Sequence, residues 1–391
     1  MVGKYLKKRE LSFWGILVII FVFLAPLEPF FIGQIGSALK FYAVGCIGLF
    51  IIKLLYRRRV VIYTPAQIIL LLFLAIIFFS AFWSAHIARG FDIALSIGLQ
   101  VIFILLATQI NYSNKEKNLI LIGYIIGCLI LSGFVLVNID QISRGGGRVS
   151  VATASEALDP NNVSAYLVSA VAILQKYRFL NRFLERIKLF CTVIFIIATL
   201  MTASRGAAIA LLIFVLYNAM SQSNLKSTIK NILVIAIITI IVIQFSNYIF
   251  ENNNPIDFLI YRFTSDSSGG SYRLLLWNNA IKAIGRRPIW GYGLGSSPYI
   301  VSWGTLGPHN TYLTIWLESG SIALGLLLAF YILFWKHKRQ ENFDMAVFGM
   351  LIITSVTSFF FDTYNKKIFW IPILLCMVSL TSRKEDSNLK R

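Results

Sequence analysis

Stretches of mostly apolar residues recur along the whole chain, separated by short charged clusters, and repeatedly reach the ~18 residues that a helix needs to cross a bilayer. Composition agrees, with 57% hydrophobic residues, only 14% charged ones and a mean hydropathy of +0.74. The chain is therefore read as an all-α polytopic membrane protein with about twelve transmembrane helices.

The apolar runs place spans near residues 11–30, 39–55, 65–82, 92–109, 119–138, 162–175, 189–203, 206–220, 231–249, 311–334, 345–360 and 368–380. The first follows "KYLKKRE" without a small-residue cleavage site, so it reads as a first helix and not as a signal peptide. The run at 162–175 is short, and the pair flanking "MTASRG" reads either as two lipid-facing helices or as one helical hairpin buried in protein, which puts the count between eleven and thirteen. Residues 1–249 then carry the first nine spans, 250–310 one large outer loop, and 311–391 the last three spans and a tail.

Charge sets the orientation. The clusters "KYLKKRE", "KLLYRRR", "NKEK", "KYRFLNRFLERIK", "LKSTIK", "KHKR" and "RKEDSNLKR" hold most of the 36 basic residues and fall on alternate turns. By the positive-inside rule both termini are cytoplasmic. The net charge of +19 then reflects topology and attraction to anionic headgroups, and its dispersal over short segments argues against nucleic-acid binding.

Several chemistries find no support. Cys46, Cys128, Cys191 and Cys376 lie far apart inside spans and read as packing residues. There is no glycine-rich nucleotide loop after a strand, no paired-cysteine zinc spacing and no nucleophile elbow. No metal or cofactor is expected.

The outer side holds the unusual features. Two loops, 139–161 and 250–310, are long, and long loops without an obvious fold are commonly functional. Within the larger one, Leu274, Trp277, Ile281 and Ile284 recur at helical spacing, which predicts an amphipathic helix lying on the membrane surface before the turn "GYGLGSS". Positive charge, normally scarce outside, gathers at Arg144, Arg148, Arg205, Arg262, Arg273, Lys282, Arg286 and Arg287. Guanidinium groups suit bidentate phosphate recognition. Arg205, in "TASRGAA", stands between two apolar runs at membrane depth, where a charge is functional by default; the structural alternative is an arginine bonded to carbonyls or a glutamate.

His309 and Asn310 open the apolar run at 311–334. On a continuous helix from 309, Gly320 would share the face of His309, while Glu318 would lie opposite and not orient its imidazole. Histidine as a residue type titrates near neutral pH and suits a general base; a helix-entry cap is the bland alternative. His86 and His337 read as surface residues.

Together these residues resemble a known family. "SYRLLLWNNAIKAIGRRPIWGYGLG" followed by "HNTYLTIWLESG" is similar to the membrane glycan transferases of the O-antigen ligase family, which includes Wzy-type polysaccharide polymerases. The resemblance runs from Arg205 to about Phe330. It rests on the Ser-Arg-Gly at 204–206, Arg273, the Pro-x-x-Gly-x-Gly at 288–293, and the His-Asn pair followed by Gly320. In the smaller loop, "GRVSVATASEALDPNNVSAYL" looks like the family segment in which an arginine, here Arg148, precedes a Pro-Asn; Asp159 and Asn161 are equally readable as turn and cap residues.

The resemblance implies a GT-C-like fold and an undecaprenyl-pyrophosphate-linked glycan donor met at the outer face of a bacterial inner membrane. Arg205 and Arg273 would hold the pyrophosphate, His309 would position or deprotonate an acceptor sugar hydroxyl, and inversion at the anomeric carbon would need no metal. Asn310, Arg148, Asp159, Asn161, Arg286, Arg287 and Trp277 would contact substrate, and Trp277, Trp290 and Trp303 could equally be interfacial anchors. Ala323, where ligases carry a second glycine, and Trp277, where they often carry leucine, lean toward polymerase over ligation to lipid A-core. The alternative from another class is a transporter or flippase of lipid-linked saccharides, against which stands the lack of duplicated halves.

Overall fold

The computed structural model describes residues 11–33, 36–57, 64–138, 159–178, 181–221, 257, 259–260, 273–337 and 341–388. Arg144, Arg148, Arg262 and the span expected near 231–249 lie outside these residues. The helices run, in chain order, α1 (Phe13–Leu24), α2 (Ala38–Arg57), α3 (Pro65–Ser80), α4 (Ile87–Ala107), α5 (Asn114–Val137), α6 (Pro160–Lys176) and α7 (Arg182–Met201). They continue with α8 (Arg205–Ser221), α9 (Arg273–Arg286), α10 (Ser297–Ser302), α11 (Thr311–Trp335), α12 (Asn342–Thr357) and α13 (Lys367–Asn388).

Every expected apolar run that falls on described residues lies on these helices. Among the described residues, six segments are long and apolar enough to cross a membrane: Phe13–Phe31, Ala38–Tyr56, Pro65–Trp83, Ile87–Ala107, Asn114–Val137 and Thr311–Trp335. Arg205–Asn218, Phe343–Thr357 and Lys367–Leu380 are apolar but shorter. After α1, a 3-10 segment at Ala25–Phe31 leads into an antiparallel pair, β1 (Ile32–Gly33) and β2 (Gly36–Ser37), a small departure from the all-helical expectation.

Capping explains several helix starts. Thr64 and Gln67 form a reciprocal box ahead of Pro65, and Ser113 does the same with Glu116 at α5. The Glu116 carboxylate also accepts from the Ser12 backbone N–H at 2.9 Å and from its hydroxyl at 2.6 Å, so one acid fastens the starts of α1 and α5 together.

Helix α6 occupies the centre. All residues from Val163 to Leu174 are buried, and α5, α7, α8 and α12 pack around it. Its small residues, Ser164, Ala165, Ser169, Ala170 and Ala172, let neighbouring backbones approach. A helix enclosed by protein needs no long lipid-facing run, which is why its sequence signal is short. Thr202–Ser204 joins α7 to α8, but α8 packs chiefly on α12 and α6 and meets α7 only slightly, so the two do not form a closed hairpin. Phe183 and Phe190 of α7 and Leu212 and Leu216 of α8 are exposed, which favours the lipid-facing reading of this pair. Exposed apolar side chains such as Phe41, Ile52, Leu72, Phe79 and Leu95 likewise cover α2, α3 and α4, an apolar surface too extensive for a water-soluble monomer.

The two ends of the assembly differ. At one end Lys117 meets Glu341 at 3.4 Å, beside the basic clusters of the sequence. At the other, Glu28 accepts from Ser37 and from the Lys367 ammonium, close to the turn that joins α12 to α13. All four cysteines are buried, and among the described residues they form no disulfide.

Two histidine expectations fail. His86 stacks on Tyr299 with ring centroids 3.3 Å apart, and the half-buried His337 lies 4.0 Å from the buried carboxylate of Asp344, so neither is a plain surface residue.

Candidate active site

The turn at residues 358–364, between α12 and α13, organises the site. The backbone N–H of Thr311 donates to the Ser358 carbonyl at 2.8 Å, and its hydroxyl donates to the Phe361 carbonyl at 2.9 Å. Thr363 and Ser358 join this buried hydroxyl cluster, with Thr363 donating its N–H to the Thr311 oxygen at 2.9 Å. The first residue of α11 is thereby fixed to the turn.

Just before it, His309 has a φ of 51°, in the left-handed region that non-glycine residues seldom adopt. Strain of this kind persists only where surrounding contacts enforce it. Here the His309 N–H donates to Asp362 Oδ2 at 3.1 Å, and Asp362 Oδ1 accepts the Thr314 hydroxyl at 2.6 Å. Asn310 is the N-cap of α11: its Oδ1 accepts from the N–H groups of Tyr312 and Leu313 at 3.0 and 3.1 Å. That oxygen is engaged in positioning the helix.

The same turn receives α8. Gly206 lies against Phe360, where an added Cβ would come within 2.7 Å of the Phe360 Cβ, so this glycine permits the close approach. Arg205, half-buried, is the first residue of α8. Ser204 before it donates its hydroxyl to Asn161 Oδ1 at 2.9 Å, and Asn161 in turn donates its backbone and side-chain N–H groups to Asp159, the N-cap of α6. The starts of α8 and α11 thus meet at one turn, and the start of α6 is tied to that of α8. Each helix start carries partial positive charge, and such ends attract anions.

Helix α9 approaches from the outer loop. Trp277 donates its indole N–H to the Pro308 carbonyl at 2.8 Å, one residue before His309. Arg273 stands four residues earlier on α9, on the same face one turn away. The expected helix forms: Leu276, Ala280, Ala283 and Ile284 pack on Val301 and Leu317, while Leu274, Leu275 and Ile281 of its other side are exposed.

Nor is α11 continuous from 309. It begins at Thr311 and breaks at Gly320, with φ 81° and ψ 177°. A Cβ at Gly320 would collide with the Ile289 carbonyl, and one at Gly291 would sit 2.5 Å from the Glu318 carbonyl. The glycines of "PIWGYGLG" therefore let this loop press against α11 at the break. Tyr292 and Gly293 donate their N–H groups to the carbonyls of Leu317 and Glu318, and Ser321 donates to that of Pro288. Buried Glu318 accepts from the Ser297 N–H at 3.0 Å and the Tyr364 hydroxyl at 2.7 Å, in keeping with the reading that it does not orient His309. It ties the glycine loop to the 358–364 turn.

Arg286 and Arg287 do not join this cluster. Arg286 ends α9, thirteen residues and about 20 Å of helix beyond Arg273, and it and the following Arg287 line a separate cavity with Trp83 and Trp290. Asp362 and Tyr364 were missed in the sequence. The signal was available, as a single acid in "SFFFDTYNKK" between two apolar runs on the same side as His309.

Comparison with known proteins agrees with the resemblance. Residues 190–328 match a family model described as O-antigen ligase. The O-antigen ligase of Salmonella typhimurium is 29% identical over 175 residues, covering 41% of this chain and 42% of that protein's length. Over residues 190–328, which carry Arg205, Arg273, His309 and Asn310, this chain is similar to the O-antigen ligase family, and it spans less than half the length of the curated relative it matches.

Proposed function

We propose that the protein is a membrane glycosyltransferase that moves a glycan from an undecaprenyl-pyrophosphate donor to an acceptor sugar hydroxyl at the outer face of the inner membrane. The observation that carries this reading is the 358–364 turn, against which the helix starts bearing Arg205 and His309 are both held. His309 takes the proton of the acceptor hydroxyl as its oxygen attacks the anomeric carbon. The bond from that carbon to the pyrophosphate breaks with inversion, and the electron pair leaves on the phosphate oxygen. Arg205, Arg273 and the converging helix starts stabilise that charge in place of a metal ion. Asp159 and Asn161 act by fixing the α6 and α8 starts.

A GT-C-like arrangement of about twelve spans, with both termini cytoplasmic, belongs to the same reading. For the acceptor, Ala323 and Trp277 favour a growing chain and hence polymerisation, while the similarity to the O-antigen ligase of Salmonella typhimurium favours ligation.

The test is the glycan profile of cells lacking the gene, supplied with the wild-type or His309→Ala form at equal membrane levels. Wild type should restore glycan assembly and His309→Ala should not. Single repeat units at the surface in the deficient cells identify a polymerase; long chains retained on the carrier identify a ligase. Full restoration by His309→Ala overturns the catalytic reading and returns the transporter to first place.

A further inference from the structure

The cavity at the far end of α9 has a character of its own. It is open, about 520 Å³, and lined by Trp83, Arg286, Arg287, Pro288, Ile289 and Trp290 among others. Pockets of this size accommodate a small ligand or a headgroup. Its chemistry is divided. Two adjacent guanidinium groups stand on one side, and among the described residues neither is in an ion pair. Arg287 stacks over the Tyr292 ring at 5.0 Å, which steadies the cation without neutralising it. The other walls are apolar, and Trp83 meets Trp290 edge to face at 6.3 Å.

Position completes the argument. Trp83 is the last residue of the membrane-length segment Pro65–Trp83, so the cavity opens at the level where that segment leaves the bilayer. Tryptophan is enriched at that level, and arginine can keep its head in the polar zone while its stem lies on apolar surface. Phe79 and Phe82, just before Trp83 on the same segment, are exposed apolar side chains. A free anion would find the arginines but have no use for this wall, and a neutral lipid would leave two cations unmatched.

We propose that this cavity binds the phosphate head of an anionic phospholipid from the surrounding bilayer, with Arg286 and Arg287 as the phosphate ligands and Trp83, Trp290 and Phe82 along the start of an acyl chain. The bound lipid would brace the end of α9 against the corner between α3 and α4. This site is separate from the glycan-transfer cluster and does not depend on that assignment.

The test is native mass spectrometry of the full-length protein titrated with phosphatidylglycerol, phosphatidylethanolamine or inorganic phosphate, alongside thermal unfolding in the same lipids. Wild type should retain phosphatidylglycerol in preference to phosphatidylethanolamine. The exposed pair Arg286→Gln and Arg287→Gln together should weaken phosphatidylglycerol binding by about tenfold or more. Phosphatidylglycerol should raise the unfolding temperature of wild type more than that of the double variant, with equal values in phosphatidylethanolamine showing that the variant is folded. Trp290→Ala should weaken the lipid with its charge ligands intact. Equal retention of both lipids by wild type, undiminished phosphatidylglycerol binding by the double variant, or phosphate binding as tight as lipid binding would each overturn the proposal.

Discussion

Asp362 accepts the backbone N–H of His309 at 3.1 Å, reaching across from the turn between α12 and α13. With the Thr314 hydroxyl on its other oxygen, the carboxylate holds His309, two residues before α11, in a left-handed conformation. Asp362→Ala removes both bonds, each to a charged acceptor and worth about 1.5–3 kcal/mol. Glycan transfer should fall by about tenfold or more while the protein remains in the membrane. The loss should appear in kcat more than in KM, since Asp362 positions His309 without meeting the donor. Unchanged turnover in purified Asp362→Ala would remove Asp362 from the site.

Much of this was legible in the sequence, for a physical reason. Bilayer-length apolar runs and positive clusters are local signals, and they predicted the helices. His309, Arg205 and Arg273 stand out because charge and imidazole are rare beside such runs. What escaped was tertiary. Asp362 acquires meaning only because α11 and the 358–364 turn meet, and Arg286 and Arg287 lose their place beside Arg273 only because α9 extends straight between them. The period of α9 was visible, but which of its apolar residues meet protein was not: Leu276, Ala280, Ala283 and Ile284 pack on Leu317 and Val301, whereas Leu274 and Ile281 are exposed.

Gly320 and Gly325 are five residues apart on α11 and should respond oppositely to alanine. At Gly320 the φ of 81° disfavours a side chain and a Cβ would meet the Ile289 carbonyl; at Gly325 nothing lies within 4 Å. Gly320→Ala should destabilise the fold by about 1–3 kcal/mol or more through strain and displacement of the glycine loop. Gly325→Ala should be neutral or mildly stabilising, since alanine favours helix. Thermal unfolding of both variants in one detergent measures the difference, and equal midpoints would mean that the break at Gly320 is dispensable.

Tyr364 offers a gentler probe of the buried Glu318. Its hydroxyl donates to the carboxylate at 2.7 Å, and Tyr364→Phe deletes that donor while keeping the ring. Glu318 would retain the Ser297 N–H but leave one oxygen short of a donor in a buried setting. The expected cost is about 1–3 kcal/mol of stability. Glu318→Ala should cost more, because it also opens a cavity and frees the Ser297 N–H. An unfolding midpoint for Tyr364→Phe equal to that of wild type would show that the two sites are not coupled.

The tryptophans of the outer loop separate in the same manner. Trp277 spends its N–H on the Pro308 carbonyl at 2.8 Å, next to His309, whereas Trp303 is 98% exposed. An interfacial anchor contributes through its amphipathic ring, while a strut contributes through its single bond. Trp277→Phe keeps the apolar body and loses the bond, about 0.5–1.5 kcal/mol, so turnover should drop about two- to tenfold with little change in the amount of protein inserted. Trp303→Phe touches no bond to the site and should leave turnover as it was. Should the two substitutions have equal effects on turnover, the Trp277 bond would not be what positions His309, and the loop would be held by α9 packing on Leu317 alone.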